Sequence, residues 1–189
     1  MIVYPGGIKK NHPKKTTSFK NRGQNLEYEI NLTNQYYRDN KKAVVYKKPV
    51  PIQIVKVDYP SRQAAVIKEA YYQTPSTTDY NGVYQGYALD FEAKETSSKT
   101  SFALRNIHPH QIEHLKAVLA QGAIAFVIIR FTAYEETYYV TAEDMIKLYF
   151  GKRRSIPYSW FQKSSYLIPY NYVIPVDYLK VIDEINKGD

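Results

Sequence analysis

Asp79, Glu92 and Lys94 lie in the stretch TTDYNGVYQGYALDFEAKET, residues 77–96, whose tyrosine, valine, phenylalanine and leucine content is that of β-strand. A two-residue turn at Gln85-Gly86, with glycine taking the positive φ such turns need, sets Tyr84 against Tyr87. The same register sets Asp79 against Glu92 and Thr77 against Lys94. Side chains alternate along a strand, so these four groups share one face. Directly opposed residues hold their Cβ atoms roughly 4.5–5.5 Å apart, and like charges placed so repel. A hard divalent cation relieves that repulsion, because two carboxylates, a hydroxyl or carbonyl and several waters make an oxygen site for magnesium. Lys94 then stands beside the cation, able to hold a water or to neutralise charge developing on phosphorus. The spacing alone also suits an exposed hairpin with a Glu92–Lys94 neighbour pair, and an Asn81-Gly82 turn would shift the register.

Further acceptors lie elsewhere in the chain. Gln111 precedes Leu115 by four positions, which puts its amide on the inward stripe of a helix, in reach of the metal or its water. The alternative is a first-turn residue satisfied by solvent. Glu27, next to Leu26, is a supporting acid at the rim of the same face or an ordinary surface glutamate. His108, His110 and His114 invite a zinc reading, since two of them are four apart on a helix, but no cysteine and no evident third ligand accompany them. They are read as structural or phosphate-contacting. No nucleophile elbow and no P-loop occurs, so acyl transfer and nucleotide hydrolysis find no support.

These residues need elements to position them. NRGQNLEYEINLTNQYYRDN predicts a first helix over about 24–38 from Leu26, Ile30 and Tyr37. KAVVYKK predicts a short strand. IQIVKV and AAVIKEAYY, around the turn signal YPSR, predict a hairpin-like projection over about 49–74. HPHQIEHLKAVLAQG predicts a helix with Pro109 at its start, Gly122 at its close and Ile112, Leu115 and Leu119 as its apolar stripe. AIAFVIIRF reads as a strand buried on both faces, with TYYVT its neighbour. TAEDMIKLYFG reads as a helix capped by threonine. From 151 onward the chain is rich in tyrosine, proline and serine until VDYLKVIDEINK, which has the spacing of a terminal helix. The fold class is α/β, a central mixed sheet flanked by helices.

The 189 residues suit one domain, 22–189, preceded by a flexible basic arm over 1–21. Lysine and arginine number 26 against 18 aspartate and glutamate, a net charge of +8. Basic residues interleaved with 20 tyrosines suit a polyanion with stackable bases, and nucleic acid leads the partner classes. A solvated basic surface is the competing explanation of the charge. The absence of cysteine excludes disulfides and thiolate metal sites. The longest apolar run, AIAFVII, is too short to span a bilayer and the N-terminus lacks a signal-peptide core, so a soluble, cytoplasmic protein is expected, with no membrane partner.

Asp79, twelve intervening residues and then Glu92-Ala93-Lys94 resemble the PD-(D/E)xK nuclease signature. Thr78 stands where that signature has proline, and Pro75 lies four residues before Asp79. The longer run of NRG, KKPVPIQIVKVDYP, AAVIKEAYY, STTDYNGVYQGYALDFEAKET, TSF and HPHQIEH is similar to the RecU family of Holliday junction resolvases, from about Asn21 to about Phe131. The resemblance implies a restriction-endonuclease-like fold. It implies a homodimer that binds four-way DNA junctions and, with magnesium or manganese, cuts two strands of like polarity symmetrically, in recombination and repair and alongside other recombination proteins. By motif, Thr77, Asp79, Glu92 and Gln111 fall at its metal positions and Lys94 at its transition-state stabiliser. The projection corresponds to a stalk entering the junction, with Arg62 and Tyr72 in it, and Arg22 matches a DNA-contacting position. The rivals are a catalytically silent junction binder and a single-strand nucleic-acid-binding protein.

Overall fold

A computed structural model describes residues 22–73 and 77–187, with only the backbone of residues 22–25. The arm expected over 1–21 and the side chain of Arg22 lie outside the described residues.

In chain order the elements are α1 (Arg22–Asp39), β1 (Val44–Lys47), β2 (Ile52–Asp58), β3 (Val66–Tyr72), β4 (Tyr80–Tyr84), β5 (Tyr87–Thr96) and β6 (Ser101–Ala103). Then follow α2 (Pro109–Leu119), β7 (Ile124–Phe131), β8 (Glu136–Thr141), α3 (Ala142–Tyr149), β9 (Ser155–Pro157), α4 (Tyr158–Ser164), β10 (Tyr166–Ile168) and α5 (Tyr178–Asn186). Six strands form one mixed sheet in the order β1-β4-β5-β7-β8-β10. Only β5 and β7 run parallel; the other neighbours are antiparallel. The α/β class and the helix-flanked mixed sheet read from the sequence are therefore found.

Each face of the sheet carries its own core. On one, Leu26, Ile30 and Tyr37 of α1 and Leu179 and Ile182 of α5 cover Phe91, Ala93, Phe126 and Ile128. On the other, Ile112 and Leu115 of α2, Met145 of α3 and Phe161 of α4 cover Val127 and Ile129. Strand β7 is buried on both faces, as its unbroken apolar run requires. In the tyrosine-, proline- and serine-rich chain after 151, to which the sequence assigned no element before the terminal helix, β9, α4 and β10 form. Ile156 and Phe161 are fully buried, and these short aromatic segments are ordered by what they pack on.

Hairpin register follows from the turn. Gln85 and Gly86 both have positive φ, 49° and 86°, and the ladder runs from Tyr84↔Tyr87 to Tyr80↔Phe91. A row of rings pins it from the α5 side. Tyr80 stacks on Phe91 at 4.8 Å between centroids, Phe91 on Phe126 at 4.6 Å and Phe126 on Tyr139 at 4.4 Å. Gly82 sits within β4 opposite Val45 of β1, not in a turn. A Cβ there would meet the Val44 carbonyl and stand 2.7 Å from Val45 Cα, both backbone atoms that cannot swing aside. Gly82→Ala is expected to destabilise the fold by about 3 kcal/mol, read as a lower urea midpoint.

Strands β2 and β3 form a separate two-stranded ribbon, every residue of which is exposed. A short 3-10 turn at Arg62–Ala64 caps it, and the register shifts between Ile54 and Val57 bend it. At its base the Gln73 N–H donates to the Pro51 carbonyl at 3.0 Å, so both ends leave the body side by side. This is the expected projection, with Arg62 at its tip and Tyr72 84% exposed at its base.

Candidate active site

Strand β5 presents Leu89, Phe91 and Ala93 to α1 and α5, so alternation turns Asp90, Glu92 and Lys94 to the α2 side. Glu92 is wholly buried there. The Asp79 N–H donates to Glu92 Oε2 at 3.1 Å, and Lys94 Nζ makes an ion-pair contact with Glu92 Oε1 at 2.6 Å. Asp79, Glu92 and Lys94 are thus together, as the register predicts, although Asp79 lies one residue beyond the last paired position of β4. Burial, and then the neighbouring Asp79 carboxylate, push the Glu92 carboxyl up to about 7, while Lys94 pulls it down.

The other expected residues are placed less uniformly. Gln111 is buried in the first turn of α2, and its Oε1 accepts from the His108 N–H at 2.9 Å, which leaves that oxygen a second lone pair. Thr77 does not pair with Lys94, because the ladder stops at Tyr80; its hydroxyl donates to the Thr78 carbonyl at 3.3 Å. Glu27 lies on α1, on the opposite side of the sheet, and its carboxylate is taken by Lys47. The histidines do not gather: His108 and His110 stack at 5.5 Å, and His114 Nε2 lies 3.2 Å from Asp90 Oδ1. Among the described residues no three histidine, aspartate or glutamate side chains converge to hold a metal.

The donors nevertheless fit a hard cation. The Glu92 carboxyl, paired with Lys94, resists ionisation because it is buried and because the Asp79 carboxylate lies beside it. Carboxylate oxygens are the donors a hard divalent cation takes.

The raised pKa has a consequence for the metal-free protein. Between the ordinary value of 4.5 and about 7 the folded state holds a proton on Glu92 that the unfolded chain has released. The stability this confers is present at low pH and is lost as pH rises through about 7. Glu92→Gln, which mimics the protonated form, is therefore expected to raise the melting temperature at pH 8 in a chelator. The gain should shrink to nothing towards pH 5.

Asp90 and Lys48 escaped the sequence reading. Asp90 is 7% exposed, accepts from the Thr78 hydroxyl, and lies 2.8 Å from Lys48 Nζ. The only sequence signal was the second acid, two positions before Glu92 on the same face.

The chain matches the family model described as Recombination protein U over residues 21–184. It is 50% identical to the Holliday junction resolvase RecU of Bacillus cereus strain G9842, over 97% of this chain and 98% of that one. It is 48% identical to the protein of the same name from Oceanobacillus iheyensis, over 96% and 98%. Among solved structures, Archaeoglobus fulgidus Hjc, a Holliday junction resolvase, superposes with a TM-score of 0.43 at 11% identity, covering 72% of this chain and 91% of that one.

Proposed function

The chain belongs to the RecU family, and from that premise we propose that it is a Holliday junction resolvase, an endonuclease that hydrolyses phosphodiesters of four-way DNA junctions. The observation that carries the chemistry is the apposition of Asp79, buried Glu92 and Lys94 on one face of the β4–β5 hairpin. Magnesium, with manganese as a substitute, would be held by Asp79 and Glu92 with Gln111, Thr77 and the Ala93 carbonyl, and would supply Lewis-acid polarisation of the phosphodiester.

The chain's own groups do the rest. Lys94, freed from Glu92 once other positive charge satisfies that carboxylate, directs its ammonium at the attacked phosphoryl group or holds the attacking water. Water attacks phosphorus in line, a P–O bond forms and the bond to the 3′ oxygen breaks, leaving a 5′-phosphate and a 3′-hydroxyl. The burial of Glu92 keeps this pair of charges in a low-dielectric setting, where the Lys94 ammonium acts strongly on developing negative charge.

A homodimer supplies two such sites, one for each of two strands of like polarity. An isolated two-stranded ribbon is marginal in water, and this one exposes Ile52, Ile54, Val57, Val66 and Ile67. That apolar surface suits burial against a second copy and the junction centre. Shape and phosphate contacts, from Arg62, Tyr72 and the basic N-terminal segment with Arg22, give structural selectivity.

An immobile four-way junction, end-labelled on each strand in turn, tests the reading. Paired nicks in strands of like polarity are expected with magnesium, none in chelator, and linear duplex should remain intact. Tight junction binding without cleavage at any magnesium or manganese concentration would favour the silent junction binder instead.

A further inference from the structure

Asp79 occupies an irregular position. Strand β4 begins only at Tyr80 and residue 79 is a bend, so Asp79 lies just outside the regular ladder. One backbone hydrogen bond to Asp79 and a set of side chains gathered on the preceding residue hold it instead. The Lys48 N–H donates to the Asp79 carbonyl at 2.7 Å, one residue beyond the end of β1. The same lysine's Nζ donates to Thr78 Oγ1 at 3.0 Å and to Asp90 Oδ2 at 2.8 Å. Thr78 Oγ1 donates in turn to Asp90 Oδ1. Thr78, the residue immediately before Asp79, therefore closes a triangle with Lys48 and Asp90.

Chemistry makes this a clamp and not a second reaction centre. A hydroxyl can donate one bond and accept others, and Thr78 does both here, giving its proton to a carboxylate and receiving one from an ammonium. Both oxygens of Asp90 are engaged, Oδ1 by Thr78 with His114 Nε2 3.2 Å away, and Oδ2 by Lys48. Thr78 is 3% exposed and Asp90 7%, so neither is placed to meet DNA or solvent. A buried ion pair adds little net stability in general, and in some proteins it serves to select one arrangement over others. The arrangement selected here joins the end of β1, the start of β4, strand β5 and helix α2, which carries Gln111 three positions before His114.

We propose that Asp90, acting through Thr78 and with Lys48, is a positioning residue of the nuclease centre, holding Asp79 against Glu92. The proposal deepens the resolvase reading and rests on it. Asp90 stands two positions before Glu92 on the same strand and face. One stretch of β5 thus supplies both a carboxylate of the centre and the anchor that holds its opposing residue in place.

The test compares Thr78→Val, Thr78→Ser and Asp90→Asn with the parent, full length, each checked for folding by circular dichroism. Thr78→Val keeps the shape and removes the hydroxyl. It is expected to lower kcat for junction cleavage by at least about tenfold, since small misplacements of a reacting constellation cost up to about a hundredfold, with KM changed by less than about twofold. Thr78→Ser should restore most of the rate, which a loss of general packing would not allow. Asp90→Asn should behave as Thr78→Val does or worse. If it does not fold, the valine and serine pair decides the matter.

Amide hydrogen exchange gives a readout independent of cleavage and of metal. In Thr78→Val the Asp79 and Lys48 amides should lose protection, while β7 stays as in the parent. Cleavage by Thr78→Val within about twofold of the parent, whether or not exchange changes, would overturn the proposal. A parent that cuts no junction would overturn the resolvase reading; unchanged exchange in Thr78→Val would then separately overturn the clamp.

Discussion

Asp79→Asn is expected to reduce junction cleavage by at least about a thousandfold while leaving junction affinity unchanged or slightly higher. The substitution keeps the size of the side chain and the Asp79 N–H bond to Glu92 Oε2, so the hairpin should fold as before. What it removes is one of two carboxylates. The loss falls on the chemical step, because a charge that stabilises the transition state more than the bound substrate contributes to kcat. Affinity is spared because removing a negative charge beside phosphates can only reduce repulsion. Lys94→Ala should approach the same loss by a different route. Lys94 pulls the Glu92 carboxyl down, so its loss favours the protonated form of Glu92 and also removes the ammonium aimed at the phosphoryl group. The double variant Asp79→Asn with Lys94→Ala should then be little worse than either single one, since both disable one constellation. Electrophoretic binding in chelator and end-labelled cleavage in magnesium, on the same preparations, separate the two effects. A variant that cut at a tenth of the parent's rate would show that Asp79 is not central to the reaction.

Excision of the ribbon should produce the second large effect, on recognition instead of chemistry. Its ends meet at the Gln73–Pro51 hydrogen bond, so a short glycine-serine linker can replace residues 52–72 without stretching the body. All residues of β2 and β3 are exposed, and none belongs to either core, so the body's melting temperature should move by only a few degrees, about the size of a surface change. Affinity for a four-way junction, by contrast, should fall at least about tenfold relative to duplex, because the contacts that read junction shape have gone. Within the ribbon, Arg62→Ala should weaken phosphate contact and flatten the salt dependence. Tyr72→Ala should lose about 1–3 kcal/mol if its ring stacks on a base. Equal affinity of the excised protein for junction and duplex, with cleavage chemistry intact on any strand it can reach, is the expected pattern. Undiminished junction preference would assign recognition to the body.

Those two effects differ in how far they were legible before any coordinates. The apposition of Asp79 and Glu92 follows from local rules: a two-residue turn that needs positive φ, and strict alternation from it, place one residue against the other over a span of fourteen positions. Helix α2 was equally readable, because proline, glycine and an apolar stripe mark its start, end and inner face, and Gln111 turns inward as that stripe requires. The solvated ribbon betrayed itself by strand-like composition interrupted by a basic turn.

Other features depended on contacts the chain makes at a distance. Thr77 was assigned to the face of Lys94 by extending the ladder, but the ladder ends at Tyr80 and Thr78 is the residue engaged, because Asp90 and Lys48 capture its hydroxyl. For Glu27 the sequence left open a supporting acid at the rim or a surface glutamate; α1 packs on the far side of the sheet and Lys47 takes the carboxylate. Strands β9 and β10 are three residues each and α4 seven, too short for periodicity to declare, and they form because Ile156, Phe161 and Ile168 find partners already in place. By itself, then, the sequence determined the hairpin and, given the Gln85-Gly86 turn, the nearness of Asp79 to Glu92, since turn geometry and alternation act between near neighbours. Only the tertiary structure decided which groups steady that pair. Lys48 just after β1, Thr78 just before β4, Asp90 in β5 and His114 in α2 are far apart in the chain, and the order of strands in the sheet, set by the burial of two cores, is what brings them together.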